Sequence, residues 1–430
     1  MTNSSPRTVM TRRTALLSLS AFGALAACDT VPATPRQTPS ATTRSAVSHW
    51  SNLTLNAVRA GSVPPPAASR AFAMVHTAGF VAANGVNPQY GTQYATGAGP
   101  VGADVDAAYA AAAARAATAA FGRDFGPALR SYLASTGKSD TRAIAWGNQV
   151  GAIIAGSRAH DGSATAGTLD TVRYPKRMGQ MGWIPTGNGQ PALLPGWGKV
   201  SPWVIGDARQ FLPRAFPAQG SAEFTRQLNK VKALGGTNSA TRTPDQTQTA
   251  FFWEDGLGGV TPPGHWQLIA MRLLAPRNLG TLEYARAMAM LSMAQADAAI
   301  VTWDSKYHYD ILRPETALRN ANWQPLIPSP AFPAYVSGHS MFSGASAQML
   351  ARVLGTDRVA FSGSSPDPQL WPNQLRGVRR SWTSLSQAAA ENGASREVGG
   401  VHWESDNTEG LRVGAQIANA VFNRAFVRRA

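Results

Sequence analysis

Residues 107–120 read AAYAAAAARAATAA. Alanine is the strongest helix former and loses no side-chain freedom in a helix, so this stretch is helical on local preference alone. Its neighbours share the period. SHWSNLTLNAVRAG, PPPAASRAFAMVHTAGFVAANG and ADVDAAYAAAAARAATAAFG place apolar residues at helical spacing and end at glycine. A further helix is expected at 140–158. Beyond 246 the pattern returns in TQTAFFWEDG, GHWQLIAMRLLA and TLEYARAMAMLSMAQADAAIVTWDSKYHYD, all read as amphipathic. Segments 340–354 and 406–427 add two more helices. Very few stretches alternate with period two, so the expected class is all-α.

Between these regions, residues 160–245 are dominated by Gly, Pro, Trp and Thr, and helical periodicity is weak. Long ordered loops wrapping the body are expected there. With 44% hydrophobic and 15% charged residues, the chain is globular rather than disordered. Its formal charge is +15. The basic residues are mostly Arg and are scattered rather than striped. No nucleic-acid motif accompanies them, so the charge reads as composition rather than a nucleic-acid surface. A basic body still attracts anionic substrates.

The amino terminus has its own grammar. Arg12-Arg13 precede a short apolar stretch that ends Leu25-Ala26-Ala27-Cys28, which holds the chain's single cysteine. Twin Arg before such a stretch reads as a Tat export signal, and the last four residues look like a lipobox. Residues 1–28 are therefore expected to be a signal, with Cys28 lipidated as a membrane anchor. Residues 29–45, rich in Pro, Thr and Ser, would be a tether, and 46–430 the body. That assigns the protein to the periplasm or cell surface after Tat export. No second apolar run reaches membrane length, so the body is expected to be soluble.

Three clusters in the last third carry chemistry. The first is Lys306 with Arg313 and Pro314, seven residues apart and so on one face if a helix continues through them. The second is Ser337-Gly338-His339 behind a Pro-rich loop and at a helix start, where backbone N–H groups, a hydroxyl and the helix dipole favour an anion. The third is Ser395-Arg396 followed by His402 and Asp406, one turn apart. There Asp406 can fix the tautomer of His402 and leave one nitrogen as nucleophile or ligand. Three permanent cations and two His make a cage for a tetrahedral oxyanion. Away from these clusters, His76 reads as a satisfied core residue. His265 and Trp266 support the pocket or simply pack. Glu254 and Asp255 lack a partner His at ligand spacing, and His308 and Asp310 serve structure or the site entrance.

K-x6-R-P, S-G-H and S-R-x5-H-x3-D resemble the signature of the vanadium-dependent haloperoxidases and type 2 phosphatidic acid phosphatases. The likeness extends to FFWEDG, TPPGHW, ADAAIVTWDSKYHY, LIPSPAFPAYVSGHS, GGVHWESDN and VRAGSVPPPAASRAFAMVH, which are similar to bacterial haloperoxidase-like members. It spans about 46–425, with the motif-bearing half at about 246–425. The implied fold is a pair of four-helix bundles with the site at one end of the second.

The resemblance implies that Lys306, Arg313, Ser337, Gly338 and Arg396 hold the oxygens of vanadate or phosphate. His402 would bond to vanadium or phosphorus, Asp406 would orient it, and His339 would be the acid/base. Trp303 and Phe332 resemble halide-side apolar residues. Val336 replaces the family's Pro before Ser-Gly-His, which implies a looser loop. The implied activity is vanadate-dependent oxidation of halide by hydrogen peroxide to hypohalous acid. Two alternatives are an exported acid phosphatase, cleaving phosphate esters through a phosphohistidine, and a surface lipoprotein that binds an oxyanion without turnover.

Overall fold

The computed structural model describes residues 45–167, 181–186 and 191–429. The twin-Arg signal, Cys28 and nearly all of the tether lie outside the described residues. No helix among the described residues is long and apolar enough to cross a membrane.

The helices begin where the sequence places them. α1 spans Ala46–Ala60 and α2 spans Pro65–Val86, with Pro in its first turn, where a missing N–H costs nothing. The Ala-rich run is α3, Val105–Phe121. Asp104 caps its start by accepting from Ala107 N, and Gly122 ends it in the left-handed conformation. α4 (Gly126–Thr136) and α5 (Thr141–Ser157) follow. α1, α2, α3 and α5 pack on one another as a first group of four. His76 sits fully buried in it, between Ser51 Oγ at 3.3 Å and Tyr109 Oη at 2.8 Å.

The 160–245 region is not all loop. α6, Ala222–Leu234, is capped by Ser221 and buries Phe224 and Val231. Its apolar residues, Phe224, Leu228, Val231 and Leu234, do follow a helical period, which the Gly- and Pro-rich surroundings obscure. The described loop before it lies tightly on a long helix, α9 (Thr281–Tyr309). Asp297 of α9 accepts from the backbone N–H of Trp203, Val204 and Ile205 at 2.6, 3.0 and 3.0 Å. Three charge-assisted bonds of this kind hold the loop in place without secondary structure.

α7 (Pro244–Phe252) and α8 (Thr261–Leu274) lead into α9, Thr281–Tyr309. Most of α9 is buried on every side rather than amphipathic, because it packs on α2 on one flank and on α11 (Gly338–Leu354) and α14 (Glu404–Arg424) on the other. It therefore joins the two groups. α9 ends at Asp310, which adopts the left-handed conformation, and a five-residue helix α10 (Pro314–Leu318) begins with Arg313 as its cap. Lys306 and Arg313 thus do not share one helix face; a turn brings them together. Pro314 starts a helix instead of ending one.

α11 (Gly338–Leu354), a short α12 (Pro372–Leu375), α13 (Leu385–Val398) and α14 (Glu404–Arg424) complete the chain. α9, α11, α13 and α14 form the second group. Two three-residue antiparallel strands, β1 (Phe361–Gly363) and β2 (Arg380–Trp382), clip the loop between α11 and α13. The all-α class stands with this small exception. Val336 is fully buried, and its carbonyl accepts from Lys306, so the loop before α11 is held rather than loosened by the missing Pro.

The seam between α11 and α14 needs residues without side chains. A Cβ on Gly414 would lie 2.3 Å from the Met341 carbonyl oxygen, and one on Gly344 would lie 2.3 Å from that of Leu411. Gly414→Ala would gain up to about 1 kcal/mol of helix propensity. It would also push backbone against backbone, an overpacking cost of roughly 1–3 kcal/mol. The second effect wins, so the urea midpoint of Gly414→Ala falls; an unchanged or raised midpoint would contradict this packing.

Candidate oxyanion site

Four helix ends converge at one end of the second group: the last turn of α9, the first turn of α11, and the last turn of α13 with the first turn of α14 across a short loop. Lys306, Arg313, Ser337, Arg396, His402 and Asp406 are all essentially buried there, and Gly338 and His339 are half-buried.

His402 is the best defined. Its Nδ1 lies 2.6 Å from Asp406 Oδ2, and its Nε2 lies 3.1 Å from Arg313 Nη1. A guanidinium only donates. Nε2 must therefore accept, which puts the ring proton on Nδ1, donated to Asp406. The ring is neutral, with its Nε2 lone pair turned towards the arginine. Burial, Arg313, Lys306 and Arg396 all hold the imidazole well below its usual protonation range. Asp406 is the third residue of α14, and the same Oδ2 also accepts from the Trp403 N–H at 3.1 Å. Burial pushes its carboxyl up to about 7, against the Trp403 N–H, Lys306 and Arg313, which favour the charged form. Its backbone carbonyl accepts from Ser337 N at 3.0 Å, tying the second motif to the third.

The cations are not equivalent. Lys306 Nζ donates to the carbonyls of Pro333, Ala334 and Val336 at 3.0, 2.9 and 2.6 Å. Three acceptors use all three ammonium hydrogens. Although burial drives its pKa well down, this geometry is that of the charged form. Lys306 presents charge to the cage, with its donors committed to the loop. Arg313 donates from Nε to the Phe332 carbonyl at 3.0 Å and from Nη1 to Val401 at 2.7 Å, while Nη2 has no protein partner. Arg396 Nε and Nη1 likewise have none. Burial lowers the pKa of both arginines.

α11 supplies the fourth wall. Ser337 caps it, accepting from Ser340 N at 3.3 Å, and its own hydroxyl hydrogen stays free to donate. The first-turn N–H groups of Gly338 and His339 have no intrahelical acceptor. His339 Nε2 donates to the Glu254 carbonyl at 3.1 Å, and the ring lies in the field of Arg396 and Lys306. Trp303, whose ring lies 3.9 Å from where a Cβ on Gly338 would sit, forms an aromatic wall with Phe332, their ring centroids 5.3 Å apart. Lys306 Nζ and Arg313 Cζ stand 4.8 and 5.0 Å from the Phe332 ring centre. Trp303 is anchored by its Nε1, which donates to Leu193 at 3.0 Å.

All the motif residues named from the sequence meet here. His308 does not: it is exposed and packs edge-on against Tyr309. Asp255 pairs with His265 Nδ1 at 3.0 Å, and Trp266 donates to Ser343 at 2.9 Å, so this group braces the turn that holds His339. Two features escaped the sequence reading. Lys230 of α6 bridges Glu397 and Glu404 at 2.8 and 2.6 Å, bracing the carboxylates beside Arg396 and His402. Asn392, one turn before Arg396, is fully buried. Lys-to-Glu contacts across such sequence distances leave no periodic trace. Asn392 could have been found from its i, i−4 spacing to Arg396.

Comparison with known proteins places similar chains beside this one. The VCPO second helical-bundle domain family matches residues 286–322 and 318–428. The vanadium chloroperoxidase of Curvularia inaequalis is 27% identical over 250 residues, 44% of this chain and 41% of that protein. The chain thus spans about two fifths of the length of that curated relative. The crystal structure of the first bacterial vanadium-dependent iodoperoxidase superposes with a TM-score of 0.76 at 26% identity, over 89% of this chain and 96% of that one. An apo bacterial vanadium-dependent chloroperoxidase gives 0.69 at 15% identity, covering 83% of this chain and 92% of that one, a likeness of fold. The last third of the chain thus matches the VCPO second helical-bundle domain, and the chain as a whole is similar in fold to bacterial vanadium haloperoxidases.

Proposed function

We propose that the protein is a vanadate-dependent haloperoxidase that oxidises halide with hydrogen peroxide to hypohalous acid. One observation carries the reading. Three buried cations surround a neutral His402; Asp406 reaches them through that ring, and Glu254 and Asp255 act on Arg396 only through their field. Buried charges without counter-charges are expensive. Arg313 Nη2 and Arg396 Nε and Nη1 are donors with no protein partner. A tetrahedral oxyanion supplies the missing charge and acceptors together.

Vanadate fits this donor set. Arg313, Arg396, Ser337 Oγ and the Gly338 and His339 N–H groups would hold its oxygens, with Lys306 adding charge from behind the loop. His402 Nε2 would bond to vanadium in place of its contact with Arg313. When bound, vanadate supplies an electrophilic centre that activates peroxide without changing oxidation state. The protein's part is to place and neutralise. The cations withdraw charge from the bound oxygens. His339 exchanges protons at the mouth, while Asp406 keeps the His402 tautomer. Trp303 and Phe332 offer a dry, polarisable wall on which a halide would approach.

The activity test is bromide-, iodide- and chloride-dependent peroxide consumption by the full chain after incubation with orthovanadate. Turnover with at least one halide and about one vanadium per chain is expected. Hydrolysis of p-nitrophenyl phosphate with no halide turnover would instead establish a phosphatase. Export by Tat and lipidation at Cys28 remain part of the proposal; palmitate labelling that survives Cys28→Ser would reject the anchor.

Asp406→Asn keeps the shape but loses the charge that fixes His402. Vanadate affinity should fall roughly 10–100-fold, as for outer-sphere partners of metal-bound His. Unchanged affinity, measured by titration with folding verified by circular dichroism, would show that Asp406 does not orient the ring.

A further inference from the structure

Asn392 is fully buried in α13, and neither its Nδ2 nor its Oδ1 has a protein partner. A buried amide with both ends unpaired gives up its hydration and gains no hydrogen bond in return. Its place explains it. Arg396 lies four residues later, on the same face of the same helix. Helical side chains lean towards the amino terminus, so the Arg396 guanidinium overlies the turn that carries Asn392. Arg396 Nε and Nη1 also lack partners. One helical turn therefore presents unpaired donors from an arginine beside an unpaired donor and acceptor from an amide.

Resting on the oxyanion reading of the site, we propose that Asn392 is a further binding residue that reads the hydroxyl of a protonated tetrahedral oxyanion. Arginines, Ser337 and helix N–H groups present donors, so they favour any tetrahedral anion with accepting oxygens. They do not separate hydrogen phosphate or hydrogen vanadate from sulfate. An amide does. Its Oδ1 accepts from an anion O–H, which sulfate lacks at neutral pH, and its Nδ2 donates to a neighbouring oxygen. Against sulfate, Oδ1 faces an oxygen that cannot donate, leaving a buried acceptor unpaired. Asn392 thus acts as the selectivity element in a cage whose other members supply affinity.

The test is calorimetric titration of inorganic phosphate and of sulfate into the full chain, for wild type and Asn392→Leu, with folding verified by circular dichroism. Wild type should bind phosphate more tightly than sulfate. Asn392→Leu should weaken phosphate roughly tenfold or more, the worth of a hydrogen bond to a charged partner, and move sulfate much less. Equal losses for both anions, or no loss, would overturn the role of Asn392. Should the leucine variant not fold, Asn392→Asp keeps the shape and sets a carboxylate beside Arg396. It should suppress binding of both anions, and wild-type affinity in that variant would also overturn the proposal. Wild-type protein that binds neither anion would instead reject the underlying oxyanion site.

Discussion

Lys306, Arg313 and Arg396 are buried together around one imidazole, and that arrangement sets the terms for the rest of the structure. Moving a cation out of water costs several kcal/mol even after relaxation, and like charges add to the cost. The protein offsets part of it with carbonyls. Lys306 is surrounded by three, and Arg313 donates to two. Asp406 offsets more from the far side of His402. What remains is a set of arginine N–H groups aimed at no protein atom. The site is stable as a protein fragment only because a large scaffold holds it, and it is suited to capture an anion. The same arginine that lacks a partner at Nη2 donates from Nη1 to His402, so one side chain both sets the tautomer and presents the donor.

The scaffold's contribution is close approach. Glycines at 344 and 414 let α11 and α14 meet backbone to backbone, which brings the start of α11, with Ser337 and His339, beside His402 and Asp406 at the start of α14. Gly400 makes a similar approach on the outer side: it has a φ of +79°, and a Cβ there would lie 2.2 Å from the Gly235 carbonyl oxygen. From that side α6 reaches in with Lys230 to Glu397 and Glu404. The cage is therefore braced from within by carbonyls and from without by ion pairs, and its residues come from elements far apart in the chain.

Much of this was readable from the sequence because the informative residues are chemically rare or locally determined. The Ala-rich α3, the Ser cap of α11 and the four-residue step from His402 to Asp406 each express a local rule. The helices α2 and α9 announced themselves by composition, although α9 is buried all round where an amphipathic face was expected. Other features depend on tertiary contacts. Lys306 and Arg313 meet through a turn at Asp310, because the helix that would have carried both stops early. Helix α6 hides in a region whose Gly and Pro content argues for loop. The commitment of Lys306 to three carbonyls depends on the path of residues 333–336, which no spacing reveals.

The central claim is that an oxyanion completes this charge cluster at His402. A crystal structure of the protein grown with orthovanadate tests it most directly. The account predicts vanadium at bonding distance from His402 Nε2, with its oxygens on Arg313 Nη2, Arg396 Nε and Nη1 and the first turn of α11. Vanadate bound elsewhere, or a His402 whose Nε2 still accepts from Arg313 at saturating vanadate, would contradict it.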